Sequence, residues 1–242
     1  MSAAPVTSTR TLTLVVASAL FMEALVSTVI ATSLAAMAAD LQVDPLALKL
    51  AFAAYCVALA IFTPVSGWCA DRCGAKTVFA TSIAMFTAAS VACALAGDLH
   101  SLIAGRVSQG LGGAMKLPVG RLILLRVIPR RERVSAMAWL SIPTLMAPIM
   151  GPPVGGFITT YVHWRGIFWL NVPVGLIGLA LAVRRVPQVR ADVLRALDGR
   201  GFVLTGLGLS LLIFGLTLAG SRAGNPALAA GMVAGGKSLL AL

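Results

Sequence analysis

The sequence predicts an all-α protein, a polytopic bundle of membrane-spanning helices. Of its 242 residues, 59% are hydrophobic and only 11% are charged, whereas a soluble domain has about 25% charged residues. The apolar residues form long runs, each close to the 17–25 residues that a helix needs to cross a bilayer. In lipid, every backbone N–H and C=O group must be satisfied within its own segment, so we expect these runs to be helices.

Seven complete hydrophobic runs and an incomplete eighth one follow each other along the chain. They cover residues 12–34, 47–69, 78–96, 102–125, 134–158, 167–183 and 202–219, and the last begins near Pro226. The first six runs predict a six-helix domain over residues 1–183. A basic cytoplasmic linker over residues 184–200 follows, and residues 201–242 hold helix seven and part of helix eight. No stretch between the runs fits a large soluble domain.

The net charge of +11 is distributed unevenly between the two ends of the predicted helices. If the amino terminus is cytoplasmic, eleven basic residues fall in inner loops and three in outer loops. The inner residues are Arg10, Arg72, Lys76, Arg130, Arg131, Arg133, Arg184, Arg185, Arg190, Arg195 and Arg200, and the outer ones are Lys49, Arg165 and Arg222. This bias predicts a multi-pass protein of the cell (inner) membrane with a cytoplasmic amino terminus. Nucleic acid is not an expected partner, because no aromatic side chains are interleaved with the basic ones for bases to stack on.

The connection between helices two and three combines charge and glycine in one short turn. It reads Gly67-Trp68-Cys69-Ala70-Asp71-Arg72-Cys73-Gly74-Ala75-Lys76. Gly67 permits a close helix approach and Gly74 a positive φ, and Asp71 can pair with a cation or cap a neighbouring helix. A purely positive topological anchor would need neither the aspartate nor the glycines. The turn resembles the gate loop of the major facilitator superfamily, apart from Ala75 at a usually basic position. That resemblance implies that Asp71, with Gly67, Arg72, Gly74 and Lys76, locks an inner gate.

Helix four contains the run Arg106-Val107-Ser108-Gln109-Gly110. A charged residue inside the hydrocarbon costs at least about 2.5 kcal/mol, which favours a position that faces the bundle interior. Because Arg106 lies about one turn from the outer end, snorkelling to the surface is the alternative. Gln109 lies one turn further on the same face and can share its partners. The run resembles the family's helix-four signature, which implies a role for Arg106 in proton transfer.

Helix five contains the run Ala147-Pro148-Ile149-Met150-Gly151-Pro152-Pro153-Val154-Gly155-Gly156. Proline bends a helix, and the spacing of Gly151 and Gly155 lets two membrane helices pack closely. A kinked packing helix without any role in transport accounts for these features too. The run resembles the helix-five signature of antiporters in the superfamily, with Ala147 in place of the usual first glycine. The resemblance implies that Gly151, Pro152, Gly155 and Gly156 belong to an antiporter helix.

Helix six begins with aromatic residues around a cation. The run is Trp164-Arg165-Gly166-Ile167-Phe168-Trp169-Leu170-Asn171-Val172-Pro173-Val174-Gly175. Such aromatic residues are typical of the membrane–water interface. The run is similar to one in the fourteen-helix drug/proton antiporters, as is Leu197-Asp198-Gly199-Arg200-Gly201-Phe202 before helix seven. By this resemblance the chain is the amino-terminal portion of such a transporter, with two inverted three-helix repeats in its first six helices.

Helix one departs from the family pattern. Val26 stands where these antiporters usually carry a proton-coupling carboxylate, and Ala35 stands at a usual proline position. Glu23 lies three residues before Val26, on a neighbouring part of the same face. It either replaces the missing carboxylate or is an ordinary glutamate that faces a cavity or pairs with an arginine.

Two further cations of helix four fall within the hydrocarbon, Lys116 near its middle and Arg121 closer to the inner surface. Arg121 is placed to line a cavity. Lys116 either faces a water-filled pathway, pairs with Glu23 or is a damaging change. Together with Glu23, Arg106 and Gln109, these two residues form the predicted proton and substrate pathway.

The resemblance implies a secondary transporter that exports amphipathic or cationic organic compounds against proton entry. Its partners would be the lipid bilayer, a small organic substrate and protons. Two alternatives remain: a truncated, non-transporting membrane protein that regulates or binds a partner transporter, and a proton-uncoupled facilitator. We expect no enzyme, cofactor or metal, because the sequence offers no nucleophile–base pair, paired carboxylates or metal-binding cysteine spacing.

The residues from Gly231 to Ser238 match the nucleotide-binding pattern Gly-x4-Gly-Lys-Ser. A phosphate-binding loop of this type needs a preceding buried strand and a following helix, and only four residues follow Ser238. We therefore expect no nucleotide binding.

Overall fold

The computed structural model describes residues 9–190, 198–220 and 226–240, and every regular element in these ranges is a helix. The α-helices are α1 (Thr9–Leu41), α2 (Pro45–Phe62), α3 (Val65–Cys73), α4 (Ala75–Ala94), α5 (Leu99–Val127), α6 (Arg133–Tyr161), α7 (Arg165–Arg185), α8 (Gly199–Ala219) and α9 (Pro226–Leu240), with a 3-10 turn at Arg130–Glu132. The predicted all-α fold class is thereby confirmed. The predicted domain boundaries stay a prediction, and residues 191–197 of the linker lie outside the described residues.

Length and composition allow five of the described helices to cross a membrane, or six if the bent pair α2–α3 counts as one span. The five are α1, α4, α6 together with its preceding 3-10 turn, α7 and α8. Helix α5 has 29 residues and is long enough, but its four cations lower its hydropathy. Its place in the bundle comes from packing, because it lies between α2 and α4.

The second predicted run is not one straight helix. It breaks after Phe62, and the axes of α2 and α3 differ by 56°. Pro64 precedes the first residue of α3, and proline has no N–H to continue the preceding helix while its ring clashes with the carbonyl four residues before. The prediction of an uninterrupted helix over residues 47–69 was therefore wrong at this proline.

The helices of the described bundle mostly pack against non-consecutive neighbours. Helix α1 packs against α6 and α7, α4 against α5 and α7, and α2 against α5 and α8, while α9 lies on α8. One core cluster includes Leu12, Phe79 and Ile123. It lies toward the basic end, a term used below for the end of the bundle that carries the 3-10 turn Arg130–Glu132. A second cluster, which includes Phe86 and Trp164, fills the other half.

The start of α5 is fixed by its own residues. The side chain of Asp98 accepts a hydrogen bond of 2.8 Å from the backbone N–H of Ser101, and Ser101 Oγ lies 3.4 Å from the Asp98 backbone N–H. This capping box satisfies two groups that the helix itself leaves unpaired. The Ser101 N–H lowers the pKa of Asp98, because it stabilises the carboxylate form.

Candidate transport pathway and gate

An ion pair joins α1 and α5 inside the bundle. Lys116 Nζ lies 3.4 Å from Glu23 Oε2. The lysine side chain is 0% exposed and the glutamate side chain 15% exposed. Of the alternatives for Lys116, the structure therefore has the one in which the lysine pairs with Glu23. Glu23 in turn pairs with a lysine, not with the arginine considered from the sequence.

An aromatic ring of α4 also contacts the lysine. Lys116 Nζ lies 3.2 Å from the ring centroid of Phe86, within the range of a cation–π interaction. Neither Lys116 Nζ nor Glu23 Oε2 has a hydrogen bond of good geometry to a described residue. Coulomb attraction and the ring therefore hold the ammonium group in place.

Arg106 is buried, with 2% of its surface exposed, so the snorkelling alternative does not apply. Its Nη1 donates to Gln109 Oε1 at 2.6 Å, and Gln109 Nε2 donates to Ser90 Oγ at 2.7 Å. The guanidinium carbon lies 4.1 Å from the ring centroid of Tyr55. The predicted sharing of partners between Arg106 and Gln109 is present as a direct hydrogen bond.

The charge of Arg106 is only partly compensated within the described chain. Its Nε and Nη2 atoms have no hydrogen-bond partner there. Arg106 borders a small, mostly apolar cavity whose other walls include Leu102, Phe52 and Phe168. An ionised group this deeply buried and without a carboxylate is costly, which marks it as a candidate for function.

Glu23 and Tyr55 both lie beside Gly113. A Cβ atom at this position would lie 3.1 Å from Glu23 Oε1 and 3.5 Å from the Tyr55 hydroxyl. Because the Tyr55 ring also lies under Arg106, Tyr55 neighbours both Gly113 and Arg106, which places the Lys116–Glu23 pair and Arg106 in the same part of the bundle. Helices α1, α2, α4 and α5 each contribute to this buried network.

At the basic end, the gate-loop aspartate is held by a cation of α5. Arg126 Nη2 donates to Asp71 Oδ1 at 3.0 Å, and the two side chains are 31% and 30% exposed. Arg72 lies over Trp68, 5.4 Å from the ring centroid. Asp71 was predicted either to pair with a cation or to cap a neighbouring helix, and the structure shows the pairing with a cation.

Gly74 makes the turn between α3 and α4 with a φ of +92°, a conformation that glycine adopts at little cost. It is the residue that precedes α4, and it has no side chain with which to cap that helix. A larger residue here would collide with the side chain of Gln188.

The segment that follows α7 supplies the missing cap. The Lys76 N–H donates to Gln188 Oε1 at 3.1 Å, and the Ala75 N–H donates to the Val189 carbonyl at 2.8 Å. Gln188 Nε2 also donates to Thr77 Oγ1 at 3.0 Å. The clasp segment, residues 186–190, thus fastens the gate loop to the end of α7.

Three predicted site residues face outward. Gly67 is exposed and a Cβ atom there would meet nothing within 4 Å, so the close approach expected at this glycine was wrong for the described bundle. Arg121 is exposed on α5 and makes no ion pair or hydrogen bond through its side chain to the rest of the described chain. Pro152 is exposed on α6.

The glycines of α6 divide between two faces. Side chains at Gly151 and Gly155 would collide with Thr28 and Thr32 of α1, whereas one at Gly156 would meet nothing within 4 Å. The predicted close packing therefore occurs at Gly151 and Gly155. The antiporter role of this helix stays a prediction.

At the end opposite the basic end, a cluster joins α1 to α7. Arg165 Nη1 and Trp164 Nε1 donate to Asp40 Oδ2, at 2.6 Å and 3.0 Å. Arg165 Nη2 also donates to the Ala96 carbonyl at 3.0 Å. Arg165 is thus an anchor between helices as well as an interfacial cation.

Sequence reasoning missed several residues of these sites. Tyr55 and Ser90 carried a usable signal, since each is a polar group inside an apolar run. Arg126 and Gln188 carried none, because nothing in a single sequence pairs them with the gate loop. No group of three or more metal-ligating side chains occurs in the ranges that the structure covers.

The pattern of Gly231 to Ser238 lies inside the continuous helix α9. No phosphate-binding loop forms there.

Comparison with known proteins identifies a family. A model of the Major Facilitator Superfamily matches residues 16–240. The chain is 36% identical over 228 residues to MdtD, a candidate multidrug resistance protein, of Salmonella typhi and of Salmonella enteritidis PT4. The match covers 94% of this chain and 48% of each relative, so the chain spans about half the length of these relatives.

Solved structures share the fold at low sequence identity. The proton:xylose symporter XylE has a TM-score of 0.67 at 15% identity and matches 96% of this chain and 53% of its own. The human organic anion transporter MFSD10 has a TM-score of 0.62 at 14% identity, with 93% and 60% covered. At this level of identity, the similarity to these structures shows a shared fold and nothing about the substrate.

Proposed function

The chain belongs to the major facilitator superfamily, and from this premise we propose that it forms the amino-terminal part of a secondary transporter that exports amphipathic organic compounds. Its family makes it a multi-pass membrane protein and a transporter rather than an enzyme. The name of its MdtD relatives, which refers to multidrug resistance, supports export of foreign organic compounds as the activity.

The observation that carries the proposal is the charged network buried between α1, α2, α4 and α5. Each charge placed inside a membrane costs at least about 2.5 kcal/mol, and such charges usually mark a pathway. Here Glu23 and Lys116 form an ion pair, and Arg106 lies over Tyr55, which borders Gly113 as Glu23 does. In the proposed transporter α1 and α5 line the route of the substrate, and a second bundle completes it.

The Asp71–Arg126 pair supports a gate at the basic end. It ties α3 to α5, and the clasp segment ties the same turn to α7. These contacts make the turn move together with α5 and α7. Rigid-body rocking of one bundle against another requires such a fixed turn.

The proposed driving force is entry of protons, with Glu23 as the carboxylate that exchanges them. A proton-uncoupled facilitator is the second candidate. It is favoured by Val26 at the position where these antiporters usually carry a carboxylate, and by Lys116, which already neutralises Glu23.

The test is flux through proteoliposomes that contain the full product of the gene. We expect export of ethidium or fluorescein to accelerate when a pH gradient drives protons the opposite way. Protein-free liposomes and the Glu23→Gln variant are the controls, and the variant should lose the response to the gradient.

Each outcome separates the candidates. Flux that is equal with and without the gradient identifies the uncoupled facilitator. Absence of flux for every dye, from a protein that is folded in the vesicles, would favour the non-transporting alternative.

A further inference from the structure

Lys116 occupies the place that a positively charged substrate would take beside Glu23. Its ammonium lies 3.4 Å from the carboxylate and 3.2 Å from the Phe86 ring centroid. A carboxylate next to an aromatic face is the arrangement that recognises organic cations. In this chain that arrangement is already filled by a side chain that is 0% exposed.

The glutamate side chain is less deeply buried than the lysine side chain. Glu23 is 15% exposed, in contrast to its partner. Its Oε2 atom is buried against Lys116, whose ammonium group neutralises the carboxylate.

Arg106 adds a positive charge that nothing in the described network cancels. Its Nε and Nη2 have no hydrogen-bond partner there, and its remaining contacts are the neutral side chains of Gln109 and Tyr55. The buried network thus holds two cations and one carboxylate. In a medium of low dielectric constant and without mobile ions, one unbalanced charge dominates the local potential.

We propose that Lys116 is a specificity-determining residue that excludes organic cations, so that the pathway takes amphipathic anions. This rests on the proposed transport function and narrows it, because the family resemblance alone implied amphipathic or cationic compounds. Lys116 acts against cationic substrates because it occupies the Glu23 carboxylate that would otherwise bind them. The net positive charge of the network attracts a molecule that carries a carboxylate or sulfonate group.

Two hydrophobic ions of matched size test the proposal, tetraphenylborate as the anion and tetraphenylphosphonium as the cation. Their binding is measured by equilibrium dialysis to the full chain in nanodiscs of uncharged lipid, with the binding to empty nanodiscs subtracted. One unbalanced charge should give the anion an advantage of at least about tenfold.

Variants of the network locate the effect. Lys116→Met should reduce the preference for the anion by about tenfold, because Glu23 then balances Arg106. Glu23→Gln should increase the preference for the anion, because it removes the only negative charge of the network. Lys49→Met is the matched control, since it makes the same substitution at an exposed position of α2 outside the network and should leave the ratio unchanged.

Equal or tighter binding of the cation by the wild-type protein would overturn the proposal, as would absence of binding for both ions. So would an equal change of the ratio in Lys116→Met and Lys49→Met. A wild-type preference for the cation overturns the proposal even if a variant fails to fold. Binding is measured without transport, so cation preference with active flux refutes only this inference, and anion preference without flux refutes only the transport function.

Discussion

Single residues decide how closely α1 and α6 approach each other. The two helices run parallel, because contacts advance together from Thr9–Glu132 to Ser33–Thr159. Between these pairs, Gly155 leaves no room for a side chain, since a Cβ atom would lie 3.0 Å from the backbone oxygen of Val29. A backbone atom cannot rotate away as the end of a side chain can, so the contact is rigid.

Gly155→Ala and Gly156→Ala form a matched pair that tests this contact. We expect Gly155→Ala to destabilise the protein by about 1–3 kcal/mol through overpacking. Gly156→Ala should be neutral or stabilise it by up to about 1 kcal/mol, because alanine is the better helix former and nothing lies within 4 Å. Thermal unfolding in detergent measures both, and equal effects of the two substitutions would contradict the packing described here.

At the scale of elements, the gate loop depends on parts of the chain that are distant in sequence. Helix α4 begins after a glycine that cannot cap it, and its first N–H groups are satisfied by the clasp segment more than a hundred residues later. On the other side, α5 provides Arg126 for Asp71. An ion pair that is about one third exposed contributes little by itself, so the hydrogen bonds of the clasp segment are important for the position of the turn.

Gln188→Ala is expected to loosen the gate loop without unfolding the bundle. Loss of hydrogen bonds worth about 0.5–1.5 kcal/mol should raise the rate at which a maleimide labels the exposed Cys73 by about two- to tenfold. Arg190→Ala is the control, because it lies in the same segment and makes none of the contacts to the turn. A labelling rate at wild-type level in Gln188→Ala would mean that the clasp segment does not hold the loop.

For the whole molecule, the distribution of charge predicts which end faces the cytoplasm. The basic end carries the gate loop, the 3-10 turn Arg130–Glu132 and the arginines at the end of α7. Under the positive-inside rule we expect this end to be cytoplasmic. The same orientation would place the Asp40–Arg165 cluster on the outer side.

Labelling with a membrane-impermeant maleimide tests this orientation. In a variant whose other cysteines are replaced, Cys73 should react in inverted vesicles and stay unreactive in intact cells. A cysteine introduced at Val162, which is 68% exposed at the opposite end, should show the reverse pattern. Reaction of Cys73 from the outside of intact cells would show that the topology is inverted.

The sequence by itself determined the helices, the membrane environment and the residues that carry unusual chemistry. Hydrophobic run length is a local property, and so is the presence of Glu23, Arg106 or Lys116 inside such a run. Family resemblance added Asp71 and the glycines of α6. The break at Pro64 has a local cause as well, although the division of the second run into α2 and α3 was not predicted.

Only the tertiary structure decided which of these residues meet. That Lys116 pairs with Glu23, that Tyr55 lies under Arg106, and that Gln188 caps α4 follows from the packing of non-consecutive helices. Packing depends on how the side chains of several helices fill the space between them, and periodicity within one helix does not contain that information. The excess of buried positive charge therefore emerges from the assembled bundle, although each charge can be found in the sequence.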